Sequence, residues 1–386
     1  RLRNQILRGS MKLSTAGESH GKALIGIIED LPSNLKIDIE EINKYLALRQ
    51  SGYGRGGRQK IERDRVEIIS GVRNGLTLGS PVAFAVVNAD YANWRQYMAP
   101  EGCDMSGRTL TKVRPGHADL TGMKKYDHTD ARNVLERASA RETAVRVVAG
   151  TVARQYLRAF GVEISGYVRK VCGIADDKEY DFCQLESAKE QPLFMLDKSV
   201  QDRAVKLIDK LKSDGDTAGG IMEIRVHGLK SGFGSCMRYG AKLDALLCSA
   251  LMSVQAVKGV EVGLGFGCAE YEGSRVHDEI FIKDGKIYRN TNNTGGIEGG
   301  MSNGEDIILR AVMKPIPTLM KGLRTVDTAT DLPSVAAPER SDVTAICAAE
   351  IIAESVTAFA LAEVVAERLG GDTMRQAVER YSLLKD

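Results

Sequence analysis

The chain lacks any run of about 18 consecutive apolar residues, the length that a membrane-spanning helix requires. Its longest apolar segment, Val343 to Leu369, carries Glu350, Glu354, Glu363 and Glu367 and reads as a helix of a water-soluble protein. Cysteine is sparse and unpatterned. Cys103, Cys172, Cys183, Cys236, Cys248, Cys268 and Cys347 are odd in number and nowhere spaced Cys-x-x-Cys. That argues against zinc or a disulfide framework and for a reduced compartment. Among 5 histidines there is no His-Glu-x-x-His. Excess charge is missing as well. Residues Arg1 to Ser10 are basic, precede Met11 and are read as an appended remnant outside the fold. Without Arg1, Arg3 and Arg8 the formal net charge of +2 becomes −1. A near-neutral chain is no bulk polyanion binder, so any cationic site must be local. No secretory segment follows Met11. The expectation is a cytoplasmic protein with no membrane partner.

What is present is a core-sized apolar fraction, 43% of 386 residues, and a set of polar, glycine-rich turns. The most informative stretch runs from Arg114 to Gly161. It opens Arg114-Pro115-Gly116-His117-Ala118-Asp119, a polar turn with no helix or strand period, and reaches Glu136-Arg137-Ala138-Ser139-Ala140-Arg141-Glu142-Thr143. Ser139 followed by Glu142 is a capping box, predicting a helix from Ala140. Val145, Val148, Val152 and Tyr156 form its apolar stripe, and Gly161 is its natural stop. The free N–H groups and positive dipole end of that helix, with Arg137 and Arg141 beside them, read either as an anion site or as an ordinary capped helix.

His20 lies in Gly17-Glu18-Ser19-His20-Gly21, between two apolar runs, and is placed on a turn between two strands. Asp38 to Leu48 is a helix with Ile39, Ile42 and Leu46 on one face. It leads into Arg49-Gln50-Ser51-Gly52-Tyr53-Gly54-Arg55-Gly56-Gly57-Arg58-Gln59-Lys60. Glycine permits close backbone approach and arginine forks match phosphate or carboxylate oxygens. This stretch reads as a mobile anion-seeking lid, a plain solvated loop or an Arg-Gly-Gly element binding RNA.

Strands are expected at Val66 to Ser70, Pro81 to Asn88, Ile221 to His227 and Ile307 to Met313. Helices are expected at Gln201 to Leu211, within Arg238 to Val257, and from about Arg340 to Gly370. Trp94 and Tyr91 read as packing residues, and Gly161 to Lys198 carries no clear pattern. The alternating glycines of Val260 to Gly267 precede no helical period, so a dinucleotide-binding turn is rejected in favour of a strand approached closely by another backbone. Asn292 to Gly304 reads as a second flexible loop. Glu136-Arg137 and Glu339-Arg340 precede two Ala-rich helices in the same way, through a faint duplication or chance. Small residues along both helices predict close packing.

Taken together these segments resemble the chorismate synthase family over nearly the whole length from Met11. Gly17 to Gly21 is similar to its N-terminal motif, Glu136 to Thr143 to its central motif, and Arg340-Ser341-Asp342 with Glu350 and Glu354 to its C-terminal motif. The Arg49–Arg58 loop and Arg114 to Asp119 also fit. The resemblance implies an α+β fold, a β-α-β sandwich with helices layered between two antiparallel sheets, in a single domain over 11–386, assembled as a homotetramer. It implies 1,4-elimination of phosphate and a ring proton from 5-enolpyruvylshikimate 3-phosphate, giving chorismate. Reduced FMN would be required, with NADPH a possible reductant. His20 would then protonate or stabilise the departing phosphate, His117 would serve the reduced flavin, and Asp342 would assist proton removal at flavin N5. Arg49, Arg55, Arg58 and Arg141 would hold substrate or nucleotide anions. FMN would meet Arg137, Ala138, Ser139, Gln255, Ala256, Gly299, Lys314, Pro315, Ile316, Pro317, Thr318 and Arg340. Where the family often has Lys-Pro-Thr-Ser-Ser, this chain has Lys-Pro-Ile-Pro-Thr at 314–318, so two hydroxyl donors are absent.

Overall fold

A computed structural model describes residues 11–56, 63–104, 107–336 and 342–385. Arg58 and Arg340, and with them the Glu339-Arg340 pair, lie outside the described residues. The first sheet has four antiparallel strands in the order Lys12–Ala16, Ala23–Glu29, Val82–Val87, Val66–Ile68. The second has five in the order Val257–Val262, Ile307–Met313, Gly220–His227, Glu163–Val171, Ile174–Ala175, again antiparallel at every pairing. Alternation sets which side each strand buries. In Ala23–Glu29, Leu24 and Ile28 are fully buried while Ile25 and Ile27 are exposed. In Ile307–Met313, residues Ile307, Leu309, Ala311 and Met313 all point into the core.

Two helices fill the space next to these buried faces. The central helix, Thr143–Arg158, touches the first sheet, chiefly Ala23–Glu29, and the long helix, Ile346–Leu369. The long helix packs in turn on Glu163–Val171 and Gly220–His227 of the second sheet. Both are buried on nearly every side, so the stripe Val145, Val148, Val152 and Tyr156 is only part of the buried surface of the central helix. The strand Glu163–Val171 arises in the stretch whose sequence carried no clear pattern. It is buried on both faces over Ile164–Val168, so apolar and polar residues do not alternate along it.

Small residues let the two helices approach. A Cβ built on Gly150 would overlap Ser355 Cβ and lie 2.5 Å from its Cα. Gly150→Val is therefore expected to destabilise the fold by about 3 kcal/mol through overpacking, measured as a shift of the urea midpoint at unchanged slope. The predicted close backbone contact is likewise found at Gly263, whose absent Cβ would lie 2.5 Å from Gly295 N and overlap the Asn293 carbonyl. Asn292 to Gly304 is not the flexible loop expected. Asp278 accepts hydrogen bonds from Thr291, Asn293 and Thr294, and Ile297–Glu298 pairs with Met301–Ser302.

The long helix begins at Ile346, later than expected, because residues 342–345 are spent on backbone pairing: Val343 N–H donates to Gly54 and Val343 C=O accepts from Ala218. A small second core, Val113, Met123, Ala131 and Val134, supports the 114–119 turn. The hairpin Arg324–Asp327/Leu332–Val335 clasps it, with Thr325 Oγ1 donating to Val113 C=O and Thr328 to Thr111 C=O. Among the described residues no helix is long and apolar enough to cross a membrane, and no cluster of His, Cys, Asp and Glu could hold a metal ion.

Candidate active site

His20 sits on the turn between the first two strands, as expected, and its ring is held on two sides. Nδ1 lies 2.9 Å from Glu136 Oε1, and the His20 backbone N–H donates to Glu136 Oε2 at 2.9 Å. The Trp94 ring stacks on the imidazole at 3.9 Å between centroids, so Trp94 does more than pack. Arg108 and Arg132 lie over Trp94 at 4.4 and 4.9 Å, and Arg132 also donates to Glu136. Burial pushes the Glu136 carboxyl up, but the hydrogen bond and charge of His20, its backbone N–H and Arg132 outweigh it. Glu136 therefore titrates below the ordinary carboxylate range.

His117 is held by the same device. Its Nδ1 is 2.6 Å from Asp119 Oδ1, while Arg114 grips Asp119 through Nε at 2.8 Å and Nη2 at 3.0 Å. Burial opposes ionisation of Asp119, yet His117 and Arg114 together hold it far below the usual carboxylate range. Each candidate histidine thus has a buried carboxylate at Nδ1 and leaves Nε2 for other work.

The helix start departs from the capping-box prediction. Ser139 is the N-cap and accepts from Arg141 N–H, but Ala140–Glu142 forms a 3-10 turn and the α-helix begins at Thr143. Glu142 does not reach back to Ser139. Its carboxylate takes Thr15 Oγ1, Arg146 and Gln255 instead, a set of partners that tertiary packing brings in. Arg137 donates to Thr15 and to the Gly17 carbonyl, and Ser139 Oγ donates to Ser19 Oγ. Arg49 is not part of a lid. It closes the Ile39–Gln50 helix, is 7% exposed, and donates to Thr143 Oγ1, Ala140 C=O and Asp64. Arg141 reaches the same Asp64 at 2.5 Å and also Asn88. Asn88 in turn donates to the Glu18 and Gly21 carbonyls that flank His20.

From Glu142 the contacts continue. Gln255 binds it, Ala256 C=O accepts from Lys314 N–H, and Lys314 Nζ donates to the Gly116 carbonyl beside His117. The Ile316 carbonyl takes Thr217 Oγ1, and Ala218, the next residue, pairs with Val343 beside Asp342. Asp342 accepts from Gly56 N–H and pairs with Arg55 at 2.9 Å. Hydrogen bonds and ion pairs, joined through chain neighbours, therefore link His20, Arg137, Ser139, Arg141, Arg49, Gln255, Lys314, His117, Asp342 and Arg55. Gly299 is placed elsewhere. Gly300 C=O accepts from Leu243 N–H at the start of the Leu243–Met252 helix, and Gln255 follows its other end, about 15 Å away at 1.5 Å per residue. A cavity of about 280 Å³ adjoins this network, lined by Thr15, Glu142, Arg146 and Glu363 among others. Larger cavities of about 450 and 600 Å³ lie beside Arg154 and Arg158, and no candidate residue lines them.

The chorismate synthase family model matches residues 11–366. The chain belongs to the chorismate synthase family. It is 52% identical to chorismate synthase of Alkaliphilus metalliredigens (strain QYMF), covering 95% of this chain and 97% of that one. It is 50% identical to that of Geobacter sulfurreducens, covering 96% and 97%. A crystal structure of chorismate synthase superposes with a TM-score of 0.78 at 35% identity, covering 97% of this chain and 96% of that one. The chain is an enzyme of this kind, a lyase. The RNA-binding reading of the Arg/Gly-rich stretch finds no support: Arg49 is buried in the last turn of its helix and Arg55 is paired with Asp342.

Sequence reasoning missed Glu136, Asp119, Trp94 and Asp64 as site residues. Asp119 was within reach, two positions from His117. Glu136 and Trp94 are 116 and 74 positions from His20, and only folding places them against its ring.

Proposed function

We propose that this chain catalyses the 1,4-elimination of phosphate from 5-enolpyruvylshikimate 3-phosphate. A ring C–H bond gives up its proton, its electron pair becomes a ring double bond, the existing double bond shifts, and phosphate leaves with the C–O pair. The observation that carries this reading is the network linking two carboxylate-held imidazoles to the Asp342 carboxylate and to the cationic helix start. His20, with Nδ1 turned to Glu136, gives a proton or hydrogen bond to the departing phosphate through Nε2. Bringing both events together is mainly positioning and electrostatics.

The residues also suit a phosphate-bearing flavin. Lys314 Nζ meets only a backbone carbonyl among the described residues, leaving a cation beside His117, and Arg137 donates to carbonyl oxygens and Thr15 with Glu142 at 3.9 Å. Buried anions need such partners. Arg137, Ala138, Ser139, Gln255, Ala256 and 314–318 would hold FMN, Gly299 its far end or a neighbouring copy. Reduced FMN, when bound, supplies electron density to the allylic system. Backbone groups at 314–318 other than the Lys314 N–H and Ile316 C=O, which are committed to protein partners, would replace the missing hydroxyls. His117 would serve the reduced flavin, and Asp342, paired with Arg55, would assist removal of the ring proton. Arg49 and Arg141 fix the helix start and orient the donors around it, and Arg55 and Arg58 bind substrate or NADPH anions.

We further propose a single domain over 11–386 with the helices sandwiched between the two sheets, supported by the helix contacts to each sheet, and a cytoplasmic homotetramer. The test is anaerobic. Protein, substrate and chemically reduced FMN are expected to release phosphate and produce chorismate absorbance in equal amounts. Absence of both products with reduced FMN present would sink the proposal.

A further inference from the structure

We propose that Glu136 is a positioning residue that fixes the protonation pattern of His20, keeping hydrogen on Nδ1 so that all proton traffic passes through Nε2. The inference rests on the reading of His20 as the group serving the departing phosphate.

Three observations carry it. Glu136 is only 3% exposed and receives His20 twice, through Nδ1 and through the backbone N–H. The carboxyl is ionised across the neutral range, because His20 and Arg132 overcome the cost of burial. An ionised carboxylate accepts hydrogen bonds and cannot donate them. Nδ1 must therefore carry hydrogen in both the neutral and the cationic ring. Trp94 covers a face of the ring, and Asp90 anchors the indole through Nε1 at 2.9 Å, so the imidazole cannot readily flip to exchange its nitrogens. A carboxylate merely filling space would need neither the second contact nor the stacked indole.

Glu136→Gln preserves shape and replaces one oxygen by an amide that donates. The His20 backbone N–H keeps the remaining amide oxygen at the Oε2 position, which places the amide N–H beside Nδ1 at the Oε1 position, so His20 accepts there and its neutral ring carries hydrogen on Nε2. The chain has 5 histidines and 1 tryptophan, which makes both readouts tractable. In full-length enzyme labelled with ¹⁵N-histidine, with His20→Gln identifying the resonance, wild type is expected to show a protonated Nδ1 and Glu136→Gln an unprotonated one. Trp94 fluorescence reports whether the ring stays stacked. Turnover of Glu136→Gln is expected to fall at least about 100-fold with KM within about threefold, whereas Glu136→Asp keeps the Nδ1 proton and recovers at least a tenth of wild-type kcat. A Glu136→Gln enzyme with Nδ1 still protonated, or with turnover within about threefold of wild type, overturns the proposal. Normal turnover in His20→Gln overturns instead the underlying role of His20, and with it the catalytic use of Glu136. The nitrogen resonances distinguish the two failures, since they report on the ring without reference to the reaction.

Discussion

Replacing His20 with glutamine is expected to lower turnover by about 100-fold or more, the loss typical of removing a general acid, with little change in thermal stability. The two halves of this expectation have separate physical causes. Glutamine still offers an N–H to Glu136, and Arg132 continues to donate to that carboxylate, so no buried charge is stranded. The side chain cannot, however, deliver a proton, as an imidazole can. His117→Gln is expected to behave similarly, because Arg114 keeps Asp119 satisfied. Steady-state phosphate release under anaerobic conditions, with a thermal melt of each variant, checks both halves. Near-normal turnover in both variants would remove the proposed roles.

The second large effect lies in the core. Glu350 and Glu354 on the long helix are fully buried with Arg154 from the central helix and Lys189. Arg154 pairs with Glu354, and Lys189 Nζ lies 2.8 Å from Glu354 and 3.8 Å from Glu350. Burial drives the Glu354 carboxyl up, but the charges of Lys189 and Arg154 pull it down to about 2. Burial and the Glu354 charge together drive Glu350 well above its ordinary 4.5. Arg154→Met leaves Glu354 ionised with one cation fewer and should cost about 3–5 kcal/mol, read from urea unfolding at pH 7. Glu350→Gln should cost less there, because burial and the Glu354 charge favour the neutral carboxyl that glutamine mimics.

The signs with pH differ for the two acids. Glu354, lowered in the folded state, stabilises fully above its unfolded value, and that contribution is lost as pH falls from 4.5 towards 2. Glu350, raised in the folded state, contributes fully below 4.5 and loses that contribution as pH rises through its folded value. Glu350→Gln is therefore expected to be at least as stable as wild type at pH 8, with the difference vanishing below about pH 4.5. A variant less stable than wild type at pH 8 would show that Glu350 is ionised in the fold.

Much of this enzyme was settled by local rules. Alternation and turn residues placed His20 between two strands, and small residues along both helices announced their close packing, which the structure realises at Gly150 and Ser355. The order of five motifs was enough for family membership, because each is a short stretch whose identity is read without knowing its partners. What the sequence could not decide were the pairings across long separations. Glu142 had a capping partner three residues away and took Thr15, Arg146 and Gln255 instead. Arg49 looked like part of a solvated loop and was drawn inward by Asp64 and Thr143. A charged side chain goes where its counter-charge and carbonyls are, and those come from strands and helices that only the folded chain sets side by side. The choice of which nitrogen of each histidine is held, and by which acid, belongs wholly to that tertiary arrangement.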